Sequence, residues 1–241
     1  MNGKVIGVIP ARYESTRFPG KPLADICGKP MIWWVWNTAR QVSELDELYV
    51  ATDDKRIADA VREFGGNYIM TGDCATGTDR VAEAALTTNG SIYVNIQGDE
   101  PLLKPETISQ AIATLADEGD YYGTLAVKIA DQDEIDSPHN VKIVVDSRGY
   151  AMYYSRSPVP SNSKGYAGCV YKHLGIYVYR KGFLLDFAHM KPTELELSEG
   201  IEPLRALYNG YKMKVGITEN NSIGVDTIAD LEYVRNWLSH N

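Results

Sequence analysis

The stretch Lys4–Leu23, KVIGVIPARYESTRFPGKPL, decides the fold because it joins an apolar segment of strand length to a loop rich in proline and basic residues. The first part, KVIGVIP, predicts a buried β-strand. The loop places Arg12, Arg17 and Lys21 at the end of that strand, and three prolines restrict its backbone. Ligands of parallel α/β sheets bind at the carboxyl ends of strands, so this loop is interpreted as a preorganised site for a polyanion.

Outward from this stretch, apolar runs of strand length alternate with amphipathic helical segments. Helices are predicted over Pro30–Arg40, Lys55–Phe64 and Asp79–Leu86. The strands between and after them have the sequences DELYVATD, GNYIM and SIYVNI. This βαβα order predicts an α/β fold with a mainly parallel sheet that is covered by helices on both faces.

The middle of the chain has a different pattern, with strand-like runs rich in Val, Ile and Tyr. The runs are GTLAVKI, VKIVVD, YAMYY and YKHLGIYVYR, and Asp146–Gly149 has the sequence of a hairpin turn. An antiparallel, strand-rich extension of the sheet is therefore expected. Helices follow near Lys181–Met190, Leu195–Tyr208 and Thr227–Leu238. Because no linker separates these parts, residues 1–241 are predicted to form one domain.

Composition excludes several classes of protein. The 24 Lys and Arg against 32 Asp and Glu give a net charge of −8, which disfavours nucleic-acid binding. The three cysteines, Cys27, Cys74 and Cys169, lack the spacing of a metal site and are interpreted as reduced thiols of a cytoplasmic protein. No segment has the length and apolar character of a membrane span or a signal sequence, so neither membrane insertion nor export is expected.

Several motifs together resemble one family, the bacterial CMP-Kdo synthetases, or 3-deoxy-manno-octulosonate (Kdo) cytidylyltransferases. The motifs are IPARYESTRFPGKPL, GTDR, VNIQGDEP, YYSRSPVP, KHLGIYVYR and GVDTIADLEYVR, in the family's order from about Val5 to Arg235. The resemblance implies a three-layer, Rossmann-like nucleotidyltransferase fold, dependence on Mg²⁺ and a homodimer. It also implies transfer of the cytidylyl group from CTP to the anomeric hydroxyl of Kdo, for lipopolysaccharide or capsule synthesis.

The residues are consistent with this chemistry. Nucleotidyl transfer needs cations for the leaving pyrophosphate and a metal for the α-phosphate. Arg12, Arg17 and Lys21 can supply the cations. Asp99 follows the apolar strand SIYVNI, Asp226 lies in a turn before the last helix, and the resemblance makes these two aspartates the metal pair. Two simpler roles remain open: Asp226 as a helix cap and Asp99 as a turn residue. The predicted catalytic residues are Arg12, Lys21 and Asp99.

Nucleotide-binding and acceptor-binding residues are assigned largely by the resemblance. The nucleotide site is predicted to contain Ala11, Arg12, Ser15, Arg17, Lys21, Thr78, Arg80 and Gln97. The acceptor site is predicted to contain Arg156, His173, Tyr177 and Glu202, arginine being suited to bind a sugar carboxylate. The strand-rich region near 121–180 is expected to provide both the acceptor pocket and the dimer contact. The tyrosines expected in that interface are Tyr121, Tyr122, Tyr150, Tyr153 and Tyr154.

Two departures from the family's pattern lie on the acceptor side. Pro203 stands where glutamine is common, and a further arginine expected soon after Pro160 is absent. Gly200 and Pro203 should interrupt the predicted helix Leu195–Tyr208. Two alternatives therefore remain: a different acidic acceptor, such as 8-amino-Kdo, another ulosonic acid or a non-sugar acid, or a nucleotidyltransferase for a phosphorylated alcohol or sugar.

Overall fold

The chain divides into two compact units. The computed structural model describes residues 3–14, 18–161 and 170–240. The first unit comprises the described residues of 2–109 and 222–241, and the second comprises those of 110–221. The single domain expected over residues 1–241 stays a prediction.

The first unit is built on four parallel strands. Its elements in chain order are β1 (Val5–Pro10), β2 (Asp25–Ile26), β3 (Lys29–Pro30), α1 (Met31–Ala39), β4 (Glu47–Thr52), α2 (Lys55–Glu63), β5 (Asn67–Met70), α3 (Gly77–Thr87) and β6 (Ile92–Ile96). Strand β1 lies between β4 and β6, and β5 pairs with β4, all in parallel. Residues 5–9 of β1 are all buried, as expected for a strand covered on both faces. The predicted parallel βαβ order is therefore confirmed.

Helix α4 (Pro105–Ala113) begins in the first unit and contains the boundary with the second. The elements of the second unit are β7 (Tyr122–Lys128), α5 (Gln132–Asp136), β8 (Lys142–Val145), β9 (Ala151–Ser155), β10 (Tyr171–Arg180), α6 (Lys181–His189), α7 (Glu194–Glu199), α8 (Leu204–Tyr208) and β11 (Lys214–Thr218). The last helix, α9 (Ile228–His240), belongs to the first unit.

A buried apolar cluster fixes α9 within the first unit. It is formed by Ile26, Met31, Val225, Leu231 and Val234. Burial of each of these side chains stabilises the fold by about 1.5–3 kcal/mol. The cluster therefore holds the segment just before α9, which carries Asp226, against β2 and α1.

The second unit contains the antiparallel strands that the sequence predicts. Strand β7 pairs antiparallel with β10 and parallel with β11, while β8 pairs antiparallel with both β9 and β10. Gly149 closes the β8–β9 hairpin with φ +79°, a backbone conformation that residues other than glycine rarely adopt. The strand-rich extension is confirmed in the residues that the structure describes.

Two of the five tyrosines predicted for a dimer interface are instead buried in this unit. Tyr122 is 1% exposed and Tyr154 is fully buried. Tyr122 stacks on Tyr179, with ring centroids 4.8 Å apart, and lies 5.1 Å from the Phe183 ring. The assignment of Tyr122 and Tyr154 to an interface is wrong, because both side chains are buried in the core of their own chain.

The interruption predicted in the late helix is confirmed. Helix α7 ends at Glu199, Gly200 adopts the left-handed conformation with φ 64° and ψ 40°, and Pro203 precedes α8. Glycine is the usual residue where a helix ends in this way. Among the described residues, no helix has the length and apolar character needed to cross a membrane.

Candidate active site

A cavity of about 220 Å³ lies in the first unit at the ends of β1 and β6. The predicted site residues that line it are Ala11, Arg12, Lys21, Arg80, Gln97, Asp99 and Asp226. Backbone forms part of its wall: a Cβ on Gly98 would lie 3.0 Å from the carbonyl oxygen of Pro10. Glycine thus allows the turn after β6 to approach the end of β1. This approach brings Gln97 and Asp99, which follow β6, close to Arg12 and Lys21, which follow β1.

Lys21 is the central cation of this cavity. It starts a single turn of 3-10 helix directly after Gly20, whose φ is +73° and whose amide donates to the carbonyl oxygen of Tyr13 at 2.8 Å. The Lys21 ammonium donates to Asp99 Oδ2 at 2.7 Å and to the carbonyl oxygen of Val225 at 2.8 Å. Asp226 Oδ1 lies 3.4 Å from the same nitrogen. One cation therefore bridges the two aspartates that were predicted as the metal pair.

Backbone contacts hold Asp226 in this position. The amide of Val225 donates to the carbonyl oxygen of Asp99 at 2.8 Å, and Val225 itself is buried. Helix α9 is capped by Thr227 and Asp230, since each side chain accepts a hydrogen bond from the other's amide. Burial alone would raise the pKa of Asp230, but hydrogen bonds from Thr227 and the Asp226 amide lower it overall. The capping role considered for Asp226 is thus filled by its neighbours.

Arg80 lines the cavity, but its charged group is bonded within the protein. The guanidinium is 3% exposed, donates to Asp53 Oδ2 at 2.8 Å, and bonds the Thr71 hydroxyl. Thr78 is buried and does not line the cavity. Both are held on α3, which begins with a capping box between Thr76 and Asp79. The nucleotide-binding roles of Arg80 and Thr78 stay predictions, and this geometry gives Arg80 a structural role in addition.

Of the other residues predicted to bind the nucleotide, the structure describes Ala11, Arg12 and Gln97. Arg12 is exposed at the cavity, directly after the buried Ala11. The Gln97 amide donates to Asn95 Oδ1 at 3.3 Å. Ser15 and Arg17 lie outside the described residues. Their predicted contacts with the nucleotide therefore stay predictions.

Cys74 lines the same cavity and was not predicted as a site residue. Its thiol donates to Glu83 Oε2 at 3.2 Å. Burial, assisted by this hydrogen bond, raises the pKa of Cys74 to about 11. The thiol stays protonated at neutral pH, so it is a poor nucleophile.

In the second unit, two predicted acceptor residues lie together on β10. The ring centroids of His173 and Tyr177 are 5.3 Å apart, and those of His173 and Tyr154 are 5.2 Å apart with the rings nearly perpendicular. His173 Nε2 is 3.1 Å from the Thr124 hydroxyl. Burial lowers the pKa of His173 to about 3. The ring is therefore neutral at pH 7, where it can donate or accept a hydrogen bond but carries no charge.

The lowered pKa of His173 makes stability depend on pH. Below pH 6.5 the unfolded chain binds a proton on this residue and the folded chain does not, so stability falls as pH falls from 6.5 towards 3. Between pH 7.5 and pH 5.0 we expect the wild type to lose about 2 kcal/mol more than His173→Asn. Urea unfolding of both proteins at the two pH values measures this difference. Equal losses would show that His173 is not held neutral by the fold.

Arg156 is bonded to backbone around the break between α7 and α8. Its Nε donates to the carbonyl oxygen of Glu199 at 2.7 Å, and its Nη2 donates to that of Gly200 at 3.2 Å. Its Nη1 donates to the carbonyl oxygen of Pro138 at 2.9 Å. Glu202, close to this break, is half-buried. The acceptor-binding roles of Arg156, His173, Tyr177 and Glu202 stay predictions.

A buried ion pair beside this region was not predicted. Arg205 Nε donates to Glu196 Oε2 at 2.8 Å and Arg205 Nη2 donates to Glu196 Oε1 at 2.6 Å. Both side chains are nearly inaccessible, at 5% and 11% exposed. The Thr193–Glu196 capping box is visible in the sequence as T-x-x-E, but the partner of Glu196 lies beyond the helix break and gives no local signal.

The fold and the cavity together define an α/β protein with cations and carboxylates at the ends of parallel strands, an arrangement suited to phosphorylated ligands. A family model for cytidylyltransferases matches residues 6–215. The 3-deoxy-manno-octulosonate cytidylyltransferase of Geotalea uraniireducens is 49% identical, covering 96% of this chain and 97% of its own. The enzyme of the same name from Geobacter sulfurreducens is 50% identical, and the match covers 95% of this chain and 97% of that enzyme.

A solved structure gives the same result in three dimensions. CMP:2-keto-3-deoxy-manno-octonic acid synthetase complexed with CTP superposes with a TM-score of 0.95 at 40% identity, over 98% of this chain and 99% of that one. The chain belongs to the cytidylyltransferase family, among the 3-deoxy-manno-octulosonate cytidylyltransferases. The family resemblance and the α/β class expected from the sequence are both confirmed.

Proposed function

We propose that this enzyme transfers the cytidylyl group of CTP to the anomeric hydroxyl of Kdo, giving CMP-Kdo and pyrophosphate. The observation that carries the proposal is the cavity in which Lys21 bridges Asp99 and Asp226, in a chain aligned over nearly its whole length with named Kdo cytidylyltransferases. The product is a nucleotide sugar suited to lipopolysaccharide or capsule synthesis. The family names favour Kdo over the alternative acceptors.

The reaction is a displacement at the α-phosphorus of CTP. The hydroxyl oxygen of the acceptor forms the new bond to phosphorus and its proton passes to water. The bond from the α-phosphorus to the oxygen that bridges it to the β-phosphate breaks, and pyrophosphate leaves with that oxygen. Arg12 and Lys21 line the cavity where they can offset the negative charge of the leaving pyrophosphate. The enzyme's own contribution is binding, orientation and charge.

Magnesium is the proposed cofactor, and the donor atoms fit it. Two carboxylates and the carbonyl oxygen of Val225 surround one cation, the Lys21 ammonium, and hard oxygen donors of this kind suit Mg²⁺. Asp99 and Asp226 would hold the ion. In residues 3–14, 18–161 and 170–240 no group of three or more His, Cys, Asp and Glu side chains could bind a metal alone. Phosphate oxygens and water would complete the coordination, and the ion would neutralise charge at the reacting phosphate.

Acceptor screening tests the proposal. Pyrophosphate release is measured with CTP and Mg²⁺ and with Kdo, 8-amino-Kdo, sialic acid, a sugar 1-phosphate or no acceptor, and the product is identified by mass spectrometry. The highest kcat/KM with Kdo, and UTP much poorer than CTP, would support the proposal. Release with another acid but not with Kdo would show that Pro203 and the absence of an arginine soon after Pro160 mark a changed acceptor pocket.

We also propose a cytoplasmic homodimer. A cytoplasmic location suits an enzyme that uses CTP and carries thiols without a disulfide framework. Helix α8 packs against both α7 and β9, and the three elements expose apolar side chains: Met152 is 62% exposed, Leu197 is 71% exposed and Tyr208 is 58% exposed. Exposed apolar side chains on neighbouring elements are typical of a surface that is covered by a partner.

Replacing Leu197 by aspartate is expected to weaken the proposed dimer. A charge in an apolar interface must be desolvated without a partner, so we expect the dissociation constant to rise by about tenfold or more. Sedimentation equilibrium of wild type and Leu197→Asp measures it. Leu86→Asp, at another exposed leucine on α3, is the matched control and should not change assembly. A wild-type monomer at micromolar concentration would contradict the proposed dimer.

A further inference from the structure

The Lys21 ammonium occupies a cation site that is defined by oxygen atoms from two separate segments. Asp99 Oδ2 and the carbonyl oxygen of Val225 accept hydrogen bonds from it at 2.7 and 2.8 Å, and Asp226 Oδ1 lies at 3.4 Å. The lysine side chain is only 14% exposed, whereas the two aspartates are 34% and 51% exposed. Lys21 is thus the least exposed of the three charged side chains, and its ammonium contacts both carboxylates.

The two segments are held together independently of the lysine. The Val225 amide donates to the carbonyl oxygen of Asp99, and the apolar cluster that includes Val225 fixes the segment before α9. The carboxylates therefore stay close whether or not a cation is present. Two like charges held close together repel one another, and a cation between them removes that repulsion. In the free enzyme this cation is Lys21, whose ammonium contacts both carboxylates.

We propose that Lys21 is a latch on the metal site: without nucleotide its ammonium fills the position between Asp99 and Asp226, and it moves to the triphosphate when CTP binds. This inference rests on the proposed function, in which the same two aspartates hold the metal. The ammonium and a divalent ion need the same carboxylate oxygens, so they exclude one another. Metal alone must displace a partly buried ammonium that then has no anionic partner.

Binding of CTP allows the Lys21 ammonium to leave the two aspartates. The triphosphate offers the ammonium new anionic oxygens, and the released carboxylates then hold the metal. Nucleotide and metal therefore bind cooperatively, and each raises the affinity for the other by the same factor. The latch keeps the free enzyme from holding a metal ion before its nucleotide substrate is present.

Manganese binding in the absence of catalysis tests the latch. Free Mn²⁺ is measured by electron paramagnetic resonance in titrations of wild type, Lys21→Met and Lys29→Met, with and without α,β-methylene-CTP, which cannot transfer its cytidylyl group. Without nucleotide, Lys21→Met should bind Mn²⁺ about tenfold more tightly than wild type. With the analogue, the advantage of Lys21→Met should disappear. Lys29→Met, at an exposed lysine that is also followed by proline, should match wild type in both conditions.

The outcomes separate the latch from the proposed function. If Lys21→Met binds Mn²⁺ no more tightly than wild type without nucleotide, the latch is wrong, whatever the activity of the enzyme. If Asp99→Asn binds Mn²⁺ as tightly as wild type in the presence of the analogue, the proposed metal site is wrong and the latch falls with it. Circular dichroism checks folding, and Lys21→Gln replaces Lys21→Met with the same expectation if the methionine variant does not fold.

Discussion

Asp99→Asn is expected to lower kcat for CMP-Kdo formation by about 10³-fold at saturating CTP and Mg²⁺. Asparagine keeps the size and one oxygen of the side chain but removes the charge that attracts the metal. The carboxylate that accepts a hydrogen bond from Lys21 at 2.7 Å is also one half of the proposed metal pair. Its loss therefore weakens the metal site and leaves the Lys21 ammonium with less opposing charge.

The fold of this variant should be preserved. The Asp99 side chain is 34% exposed, so we expect the free energy of unfolding to change by no more than about 1 kcal/mol. Asp59→Asn, at an aspartate on α2 that pairs with Arg62, is the control and should keep the wild-type kcat. If Asp99→Asn retains a tenth or more of the wild-type kcat, Asp99 does not hold the metal.

Arg205→Met is expected to produce the largest loss of stability, about 3–5 kcal/mol. Two hydrogen bonds join the Arg205 guanidinium to the carboxylate of Glu196, and a third runs from Nη1 to the carbonyl oxygen of Met190 at 3.1 Å. Methionine fills much of the same volume but leaves the Glu196 carboxylate buried without its counter-charge. Urea unfolding, analysed through the transition midpoint, measures the loss.

Two further variants show whether the loss comes from the ion pair. Glu196→Gln combined with Arg205→Met should be less destabilised than the sum of the single changes, because neither charge remains buried alone. Arg62→Met removes an arginine that is 66% exposed and paired with Asp59, and should cost less than about 0.5 kcal/mol. A loss below 1 kcal/mol for Arg205→Met would show that the Glu196 carboxylate is solvated in its absence.

The sequence was informative where the signal is periodic or local. The apolar runs KVIGVIP and SIYVNI predict parallel strands, and parallel strands bring their carboxyl ends to one edge of a sheet. That rule places the loop with Lys21 and the turn with Asp99 at the carboxyl ends of their strands, and both residues line one cavity in the structure. Gly200 and Pro203 predict the break between α7 and α8, because glycine readily adopts the left-handed conformation that ends a helix and proline cannot continue a helix from the preceding turn.

The missed elements had weaker local signals. Strand β11 is short and contains Gly216, and a Cβ there would lie 2.7 Å from Leu125 Cδ2. Glycine lowers strand propensity, and it leaves room here for the Leu125 side chain of β7. For helix α4 the start signal is a single residue, Pro105, since proline is common in the first turn of a helix.

Side-chain partners were the least predictable feature. Arg80 was predicted to face the nucleotide, yet its guanidinium is bonded to Asp53, which lies 27 residues earlier in the chain. Glu196 and Arg205 pair across a helix break. Such pairs depend on how distant segments pack, and no spacing in one sequence encodes them. The burial that keeps His173 neutral has the same origin.

A crystal structure with Mn²⁺ and α,β-methylene-CTP tests the central claim most directly, because the anomalous signal of manganese locates the metal without reference to activity. The account predicts an anomalous peak bonded to carboxylate oxygens of both Asp99 and Asp226, with the Lys21 ammonium moved onto the triphosphate. A peak elsewhere in the cavity, with Lys21 still bridging the two aspartates, would contradict both the metal assignment and the latch.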